Sequence, residues 1–501
     1  MNKRSKWCYA SGCSGRDLCY TLVSLFLLTY IQYTNLVNTA QFLVLSVIIV
    51  LCRVWDAVND PMMGTIISNT RTRFGKYRPW VLIGCIANLI FFIGLFTIRI
   101  DVGSNIDTLG WWNVAILGLF YLGWGMSFTM NDVSYWSLLP ILSEGKKERD
   151  QLTTMVAIFA SVGQFVSGGV VPMLTTQGNM IAAYRWIAII FGIVFFICQV
   201  MVFFFTHDNK EDKFMLDKVE EEEKKEKNIT LKDMFKILIR NKQLLVMALV
   251  VLLYTTASSF ITALGQNFLY FRYGFEGDRM FVLTVIFAVG TIISQFFFPV
   301  LANKFKRMQI VKYSILVSVI GYLLFMLFAL LPFGVNIGFA LLCVAAVLVF
   351  AGQGFFYMTM LIMLTNTIEY DEWKNNERND AVTFSVRPFM VKLSSAIQQM
   401  IISVILVVCG LYSITNKIGE IVTGIDKGEI DSVIGVGDIN ALLSGVGQPQ
   451  MVGLTLCMTI IPALMLVVCY IVIKKKYIID EELYETILSD LKERENYYEE
   501  Y

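Results

Sequence analysis

The sequence predicts an all-α membrane protein of twelve transmembrane helices in two six-helix bundles, with both termini cytoplasmic. Three observations carry that reading. Of its 501 residues 56% are hydrophobic and only 16% are charged, where a soluble chain carries about a quarter charged residues. Twelve apolar stretches approach or exceed the roughly 20 residues a helix needs to cross about 30 Å of hydrocarbon. Lys and Arg gather in alternate connections, which marks those connections as cytoplasmic.

In chain order the expected spans lie near 17–38, 40–67, 79–99, 112–142, 153–175, 183–206, 244–270, 280–303, 310–331, 336–366, 382–413 and 449–473. Several exceed the minimum length, so tilts or kinks are expected. The connections 71–78, 144–149 and 303–312 and the KKK of 474–476 are basic, whereas 33–41 and 332–337 carry no Lys or Arg. The longest cytoplasmic connection divides the chain into an N-terminal bundle (1–206), a middle loop (207–243), a C-terminal bundle (244–473) and a tail (474–501). Within the middle loop, Thr230 to Asp233 reads as a capping signal for a short surface helix. The sequon at Asn228 is read as chance on the cytoplasmic side. Similar basic connections after spans two and eight suggest related halves, a common plan among secondary transporters. Segment 414–447 and the Glu- and Tyr-rich tail carry no recognisable chemistry, and the tail is expected to form a surface helix. No cleavable signal is read in the basic N-terminus.

Composition also removes several function classes. A formal net charge of +1 argues against a nucleic-acid partner. The ten cysteines include no CxxC pair and His207 is the only histidine, which disfavours a zinc site, a disulfide framework and His-dependent nucleophilic catalysis. No nucleophile elbow, metal-binding pair or phosphate loop marks an enzyme, and no cofactor is expected beyond a coupling ion.

The most informative stretch is RVWDAVNDP, Arg53 to Pro61, inside a run otherwise apolar from Thr39 to Ile67. Asp56 and Asp60 stand at i and i+4 and share one helix face, with Arg53 on the same side. Each ionised group in a span costs roughly 2.5 to 3.5 kcal/mol, so such groups face a bundle interior or an aqueous cavity. Two acids on one face suit a small hard cation such as Na⁺ or H₃O⁺. The alternative is a structural cluster in which Arg53 neutralises one acid. On the fourth span, Asp132 and Trp136 are likewise i and i+4. That face offers an acceptor for vicinal hydroxyls and an aromatic plane for a sugar's C–H face, unless Trp136 is a packing aromatic.

RVWDAVNDPMMG followed by TRTRFGKYRPW closely resembles the glycoside-pentoside-hexuronide:cation symporters, the group that includes the melibiose carrier, within the major facilitator superfamily. MNDVSYWSLLP (130–140), KKERDQL (146–152), TIEYDEW (367–373) and SVRPFMVK (385–392) extend the resemblance over both halves. It implies the major facilitator fold and a central cavity that opens alternately to either side. It further implies a cation site at Asp56 and Asp60 with Asn59 and Thr129 as oxygen ligands, substrate carboxylates at Asp17 and Asp132, an indole platform at Trp136, and a span-eleven lysine at Lys392. Lys392 either balances the carboxylates or snorkels to the cytoplasmic face.

One departure stands out: Ala157 occupies the position where the resemblance implies a sugar-binding arginine. Arg387, followed by Pro388, is a candidate replacement on span eleven, favouring a uronide, or else it joins a cytoplasmic gate network with Glu369, Asp371 and Arg378. Arg149 and the 71–78 cluster are further gate candidates against Glu369, Tyr370 and Asp371. The expected function is symport of Na⁺, H⁺ or Li⁺ with a glycoside, pentoside or uronide, by a monomer in the plasma membrane. The runner-up is a carrier for a non-sugar amphiphile such as a lysolipid or steroid, for which Phe and Met in spans seven, eight and ten would be suited.

Overall fold

A computed structural model describes residues 3–70, 72, 74–103, 105–142, 145–206, 231–375 and 380–499. The regular structure of these residues is helical: α1 (Lys3–Thr21), a π-helical turn (Leu22–Phe26), α2 (Leu27–Gln32), α3 (Thr39–Ser68), α4 (Arg78–Thr97), α5 (Ile106–Leu142), α6 (Gly145–Thr175), α7 (Met180–Phe205), α8 (Leu231–Arg240) and α9 (Lys242–Ser258). The chain continues through α10 (Phe260–Tyr273), α11 (Asp278–Ala302), α12 (Arg307–Leu330), α13 (Val335–Asn375), α14 (Asp380–Val408), α15 (Leu411–Asp426), α16 (Ser432–Ser444), α17 (Gln448–Lys476) and α18 (Glu481–Glu499). Helix is forced on apolar spans because hydrocarbon offers no partner for backbone N–H and C=O groups.

Among the described residues, eleven helical segments are long and apolar enough to cross a membrane. The first expected span, 17–38, is not one of them. Its helix starts earlier, at Lys3, so Arg16 and Asp17 fall in mid-helix, and the π turn divides it into a polar segment of 19 residues and an apolar one of 6. A π turn commonly marks a functional position in a helix. The short helix expected ahead of span seven is α8, although the capping Thr230 and the acidic run before it lie outside the described residues.

The chain forms two compact units, one of residues 1–228, 265–284 and 399–451, the other of 229–264, 285–398 and 452–501. In the first unit α1 packs on α6 and α7, while α3 and α4 pack on α5. Polar ties lock these helices in register, since a buried hydrogen bond fixes rotation about the helix axis better than apolar contact. Tyr9 stacks on Tyr135 at 4.4 Å and donates to its carbonyl at 2.6 Å. Gln199 donates to Gly12 O at 2.8 Å, and Asn131 donates to Val81 O at 2.7 Å. The tyrosine pair sets α1 against α5, the helices that carry Asp17 and Asp132, while Gln199 ties α7 to α1 and Asn131 ties α5 to α4.

The segment 414–447, which showed no chemistry in the sequence, folds into most of α15 and into α16, the latter capped by Asp431. In the first unit α15 is fastened to the ends of α3 and α7. Tyr412 stacks on Phe42 at 4.2 Å and donates to Val37 O at 2.9 Å, and Asn179 donates to Asp426 at 3.0 Å. Beyond α15, Lys427 pairs with Asp101 at 2.5 Å. The hydrogen bond from Lys427 holds the Asp101 carboxyl below its ordinary value of 3.8. A depressed carboxylate contributes above its unfolded pKa. The pair is therefore complete at neutral pH and is lost as acidification passes through that lowered value.

In the second unit, Tyr254 donates to Gln353 O and Gln353 to Tyr322 Oη, both at 2.9 Å, tying α9, α12 and α13. The tail forms the expected surface helix. Ile479 and Ile487 bury against Tyr370, Trp373 donates to Asp490 at 2.8 Å, and Arg494 donates to Trp373 O at 3.2 Å.

Candidate functional site

Two constellations occupy the first unit, and α5 contributes to both. The first lies on α3. Arg53 and Asp56 are almost fully buried, and the Arg53 Nη1 stands 3.8 Å from Asp56 Oδ2. The guanidinium is ringed by Tyr20, Tyr121 and Trp124, with centroids 5.7, 5.5 and 5.3 Å away, which offsets part of its desolvation through cation–π attraction. Asp60 is half-buried and accepts from Thr129 Oγ1 at 3.0 Å. Asn59 is buried, and its Nδ2 has no hydrogen-bond partner; turning the amide over places a carbonyl oxygen there instead.

Gly125 of α5 explains how Asp56 is accommodated. A Cβ at that position would lie 2.4 Å from Asp56 Oδ1, so the carboxylate occupies the space a side chain would take. The two acids of RVWDAVNDP differ in their surroundings. Asp56 has the buried arginine beside it, whereas Asp60 faces a hydroxyl on the neighbouring helix.

The second constellation is centred on a residue that sequence reasoning missed. Arg16, 4% exposed, stands 2.6 Å from Asp132 Oδ1 through Nη1 and 3.2 Å from Asp17 Oδ2 through Nη2. Its guanidinium also lies 4.8 Å from the Tyr135 ring and 5.4 Å from the Trp136 ring. One fork therefore bridges the two carboxylates singled out from the sequence and links them to the indole. Cys13 Sγ and Gln164 Nε2 each donate to Asp17 at 3.0 Å, to Oδ2 and Oδ1 respectively. Trp136 is 40% exposed, and the Asp132 side chain is one-third exposed.

The signal for Arg16 was its position beside Asp17. Placing the start of the first span at residue 17 left the arginine outside it, among the flanking positive charges. Gln164 gave no signal, because a glutamine one turn from small residues is unremarkable until its carboxylate partner on α1 is known.

The remaining candidates lie in the second unit or outside the described residues. Lys392 is half-buried on α14. Arg387 is exposed beside the helix-internal Pro388 and donates to Tyr357 Oη. Asp371 is buried and pairs with Arg240 at 3.6 Å, a partner the sequence did not suggest, while also accepting from Asn375 at 2.6 Å. Glu369 lies half-buried two residues before it. The side chain of Arg149, and Arg378 altogether, lie outside the described residues.

Comparison with known proteins places the chain in a family. The family model described as MFS/sugar transport protein matches residues 8–481. Similar curated proteins include a lactose permease of Lactobacillus delbrueckii subsp. bulgaricus, 27% identical over 97% of this chain and 72% of its own length. A raffinose carrier protein of Pediococcus pentosaceus is 25% identical over 97% of this chain and 70% of its own. A glucuronide carrier protein homolog of Escherichia coli is 25% identical over 85% of this chain and 89% of its own. The chain spans only 63% and 62% of two further lactose permeases, from Lactobacillus helveticus and Leuconostoc lactis. Among solved structures, an inward-facing bacterial homolog of the human lysosomal transporter Spinster aligns over 95% of this chain and 99% of its own with a TM-score of 0.62 at 11% identity, a likeness of fold. By the match over nearly its whole length, the chain belongs to the MFS/sugar transport protein family, within the glycoside-pentoside-hexuronide symporter group of the major facilitator superfamily, and is a multi-pass membrane transporter rather than an enzyme.

Proposed function

We propose that the protein is a secondary active symporter that couples entry of Na⁺, or of H⁺ or Li⁺, to uptake of a glycoside or pentoside across the plasma membrane by alternating access. The observation that carries the reading is the sharing of α5: Thr129 bonds Asp60, and Asp132, one turn on, takes the Arg16 fork. A cation ligated by Asp60, Asn59 and Thr129 shifts the helix face that holds the substrate carboxylate and indole, and by linkage the substrate raises cation affinity equally. Charge favours the same reading. The carboxylates of Asp17, Asp56, Asp60 and Asp132 outnumber the guanidinium groups of Arg16 and Arg53, and a bound cation offsets part of that excess.

The names of the relatives point to lactose, raffinose and glucuronides. Arg16 supplies the guanidinium that Ala157 does not, and Arg387 is already engaged with Tyr357. Both points support a neutral glycoside over a uronide. The sugar half-site comprises Asp17, Asp132, Trp136 and Arg16: carboxylates accept from hydroxyls, the indole takes the apolar face of the ring, and the arginine keeps the two acids from repelling each other.

Asp132→Asn keeps the size of the side chain and removes the charge. A hydrogen bond to a charged group is worth roughly 1.5 to 3 kcal/mol, so affinity for a neutral glycoside is expected to fall at least about tenfold, read by competition in counterflow assays. A carrier of apolar amphiphiles would tolerate that change and suffer instead from Trp136→Ala.

A further inference from the structure

Helix α6 shows two distinct exposed faces. One is apolar, with Ile158, Val162 and Val166 at 59%, 49% and 41% exposure, and suits contact with lipid. The other, at spacings of three and four, carries Thr154, Ala157, Ser161 and Gln164, all exposed. A polar exposed face on a membrane helix is expected to look onto water rather than hydrocarbon. Gln164 ends that face and donates Nε2–H to Asp17 Oδ1 at 3.0 Å, joining α6 to α1.

The carboxylate of Asp17 is thereby shared unequally. Oδ2 takes Cys13 and Arg16, whereas Oδ1 takes Gln164. A carboxylate oxygen accepts two hydrogen bonds and a glutamine amide carries a second N–H and an acceptor oxygen. Asp17 Oδ1 and the Gln164 amide thus set two dissimilar polar groups side by side, one accepting only and one able to donate. Two adjacent hydroxyls match that pair of groups.

We propose that Gln164 is a specificity-determining residue of the sugar site, orienting Asp17 and reading a hydroxyl next to the one that Asp17 accepts. The inference rests on the glycoside reading above. A site built to hydrogen-bond a hydroxyl discriminates strongly against analogues that misplace it, because its own polar groups are then left unpaired. Removing the amide therefore weakens the preferred epimer more than the others.

The test uses the full-length protein in proteoliposomes with methyl β-galactoside, methyl β-glucoside and methyl β-xyloside as probes. In Gln164→Ala, the KM for the preferred glycoside is expected to rise about tenfold, with the maximal rate within about twofold and the preference among the three probes reduced. Gln164→Asn, which keeps an amide on a shorter arm, is expected to recover part of the preference. Gln164→Glu sets a second carboxylate against Asp17, so its affinity is expected to fall further at neutral pH and to improve on acidification, as one acid protonates. A purely structural role would lower the maximal rate and the thermal midpoint together and leave KM and preference as they were, which would overturn the proposal. Unchanged KM and preference in Gln164→Ala, with affinity still lowered in Asp132→Asn, would overturn it too. Tolerance of Asp132→Asn as well would remove the glycoside reading itself.

Discussion

Asp60→Cys is expected to abolish cation-driven accumulation of substrate while leaving substrate binding and exchange measurable. Asp60 holds Thr129, and of the two acids on that face of α3 it is the one without the arginine three residues before it. Removing its carboxylate takes away the anionic ligand a hard cation needs. Arg16, Asp17 and Asp132 are left as they stand, so a weakened sugar site persists without its link to the ion gradient. Asp56 differs in kind, because Asp56→Cys also strands Arg53 in a buried position and is expected to lower stability as well as coupling. Undiminished Na⁺-stimulated accumulation in Asp60→Cys would remove Asp60 from the coupling site.

Arg16→Met is expected to be the most damaging single change in the substrate half-site. The methionine fills much of the stem volume but leaves Asp17 and Asp132 facing each other without the fork that bridges them. Breaking a fully buried ion pair by removing one partner costs about 3 to 5 kcal/mol. Asp132 is one-third exposed and solvent screens it, so the expected loss is smaller, on the order of 2 kcal/mol. Thermal unfolding in detergent should therefore move down, and glycoside binding should be lost at neutral pH. Adding Asp132→Asn to Arg16→Met removes the repulsion and should recover much of the stability but none of the binding. Recovery of both would show that Arg16 acts only as a counter-charge, whereas an unaffected single variant would show that the bridge contributes nothing.

Much of this fold is legible in the sequence because hydrocarbon imposes a length and a polarity on every span. The acids of α3 are legible for the same reason: an i and i+4 pair in an apolar run marks a bundle interior or an aqueous cavity, and Arg53 three residues before Asp56 announces its own ion pair. The start of the first helix is not legible. A span boundary is drawn where polarity begins, yet α1 continues outward to Lys3, since its polar groups are satisfied by α5, α6 and α7 rather than by water. Arg16 is hidden for that reason, its partner Asp132 being more than a hundred positions away in the chain. The packing of α15 and α16 is illegible likewise, because Tyr412, Asp426 and Lys427 find their partners near residues 37, 179 and 101, and nothing local marks those pairings.

Gradient-driven uptake tests the coupling of cation and sugar most directly. Purified protein in proteoliposomes is given radiolabelled neutral glycosides with and without an inward Na⁺ gradient, and with a proton gradient in parallel. Accumulation of a glycoside above equilibrium under one of these gradients, collapsing when the gradient is dissipated and absent from Asp60→Cys, is the expected result. Equilibration at the same level with and without either gradient, or accumulation unchanged by Asp60→Cys, would contradict a cation-coupled sugar symporter built on these two constellations.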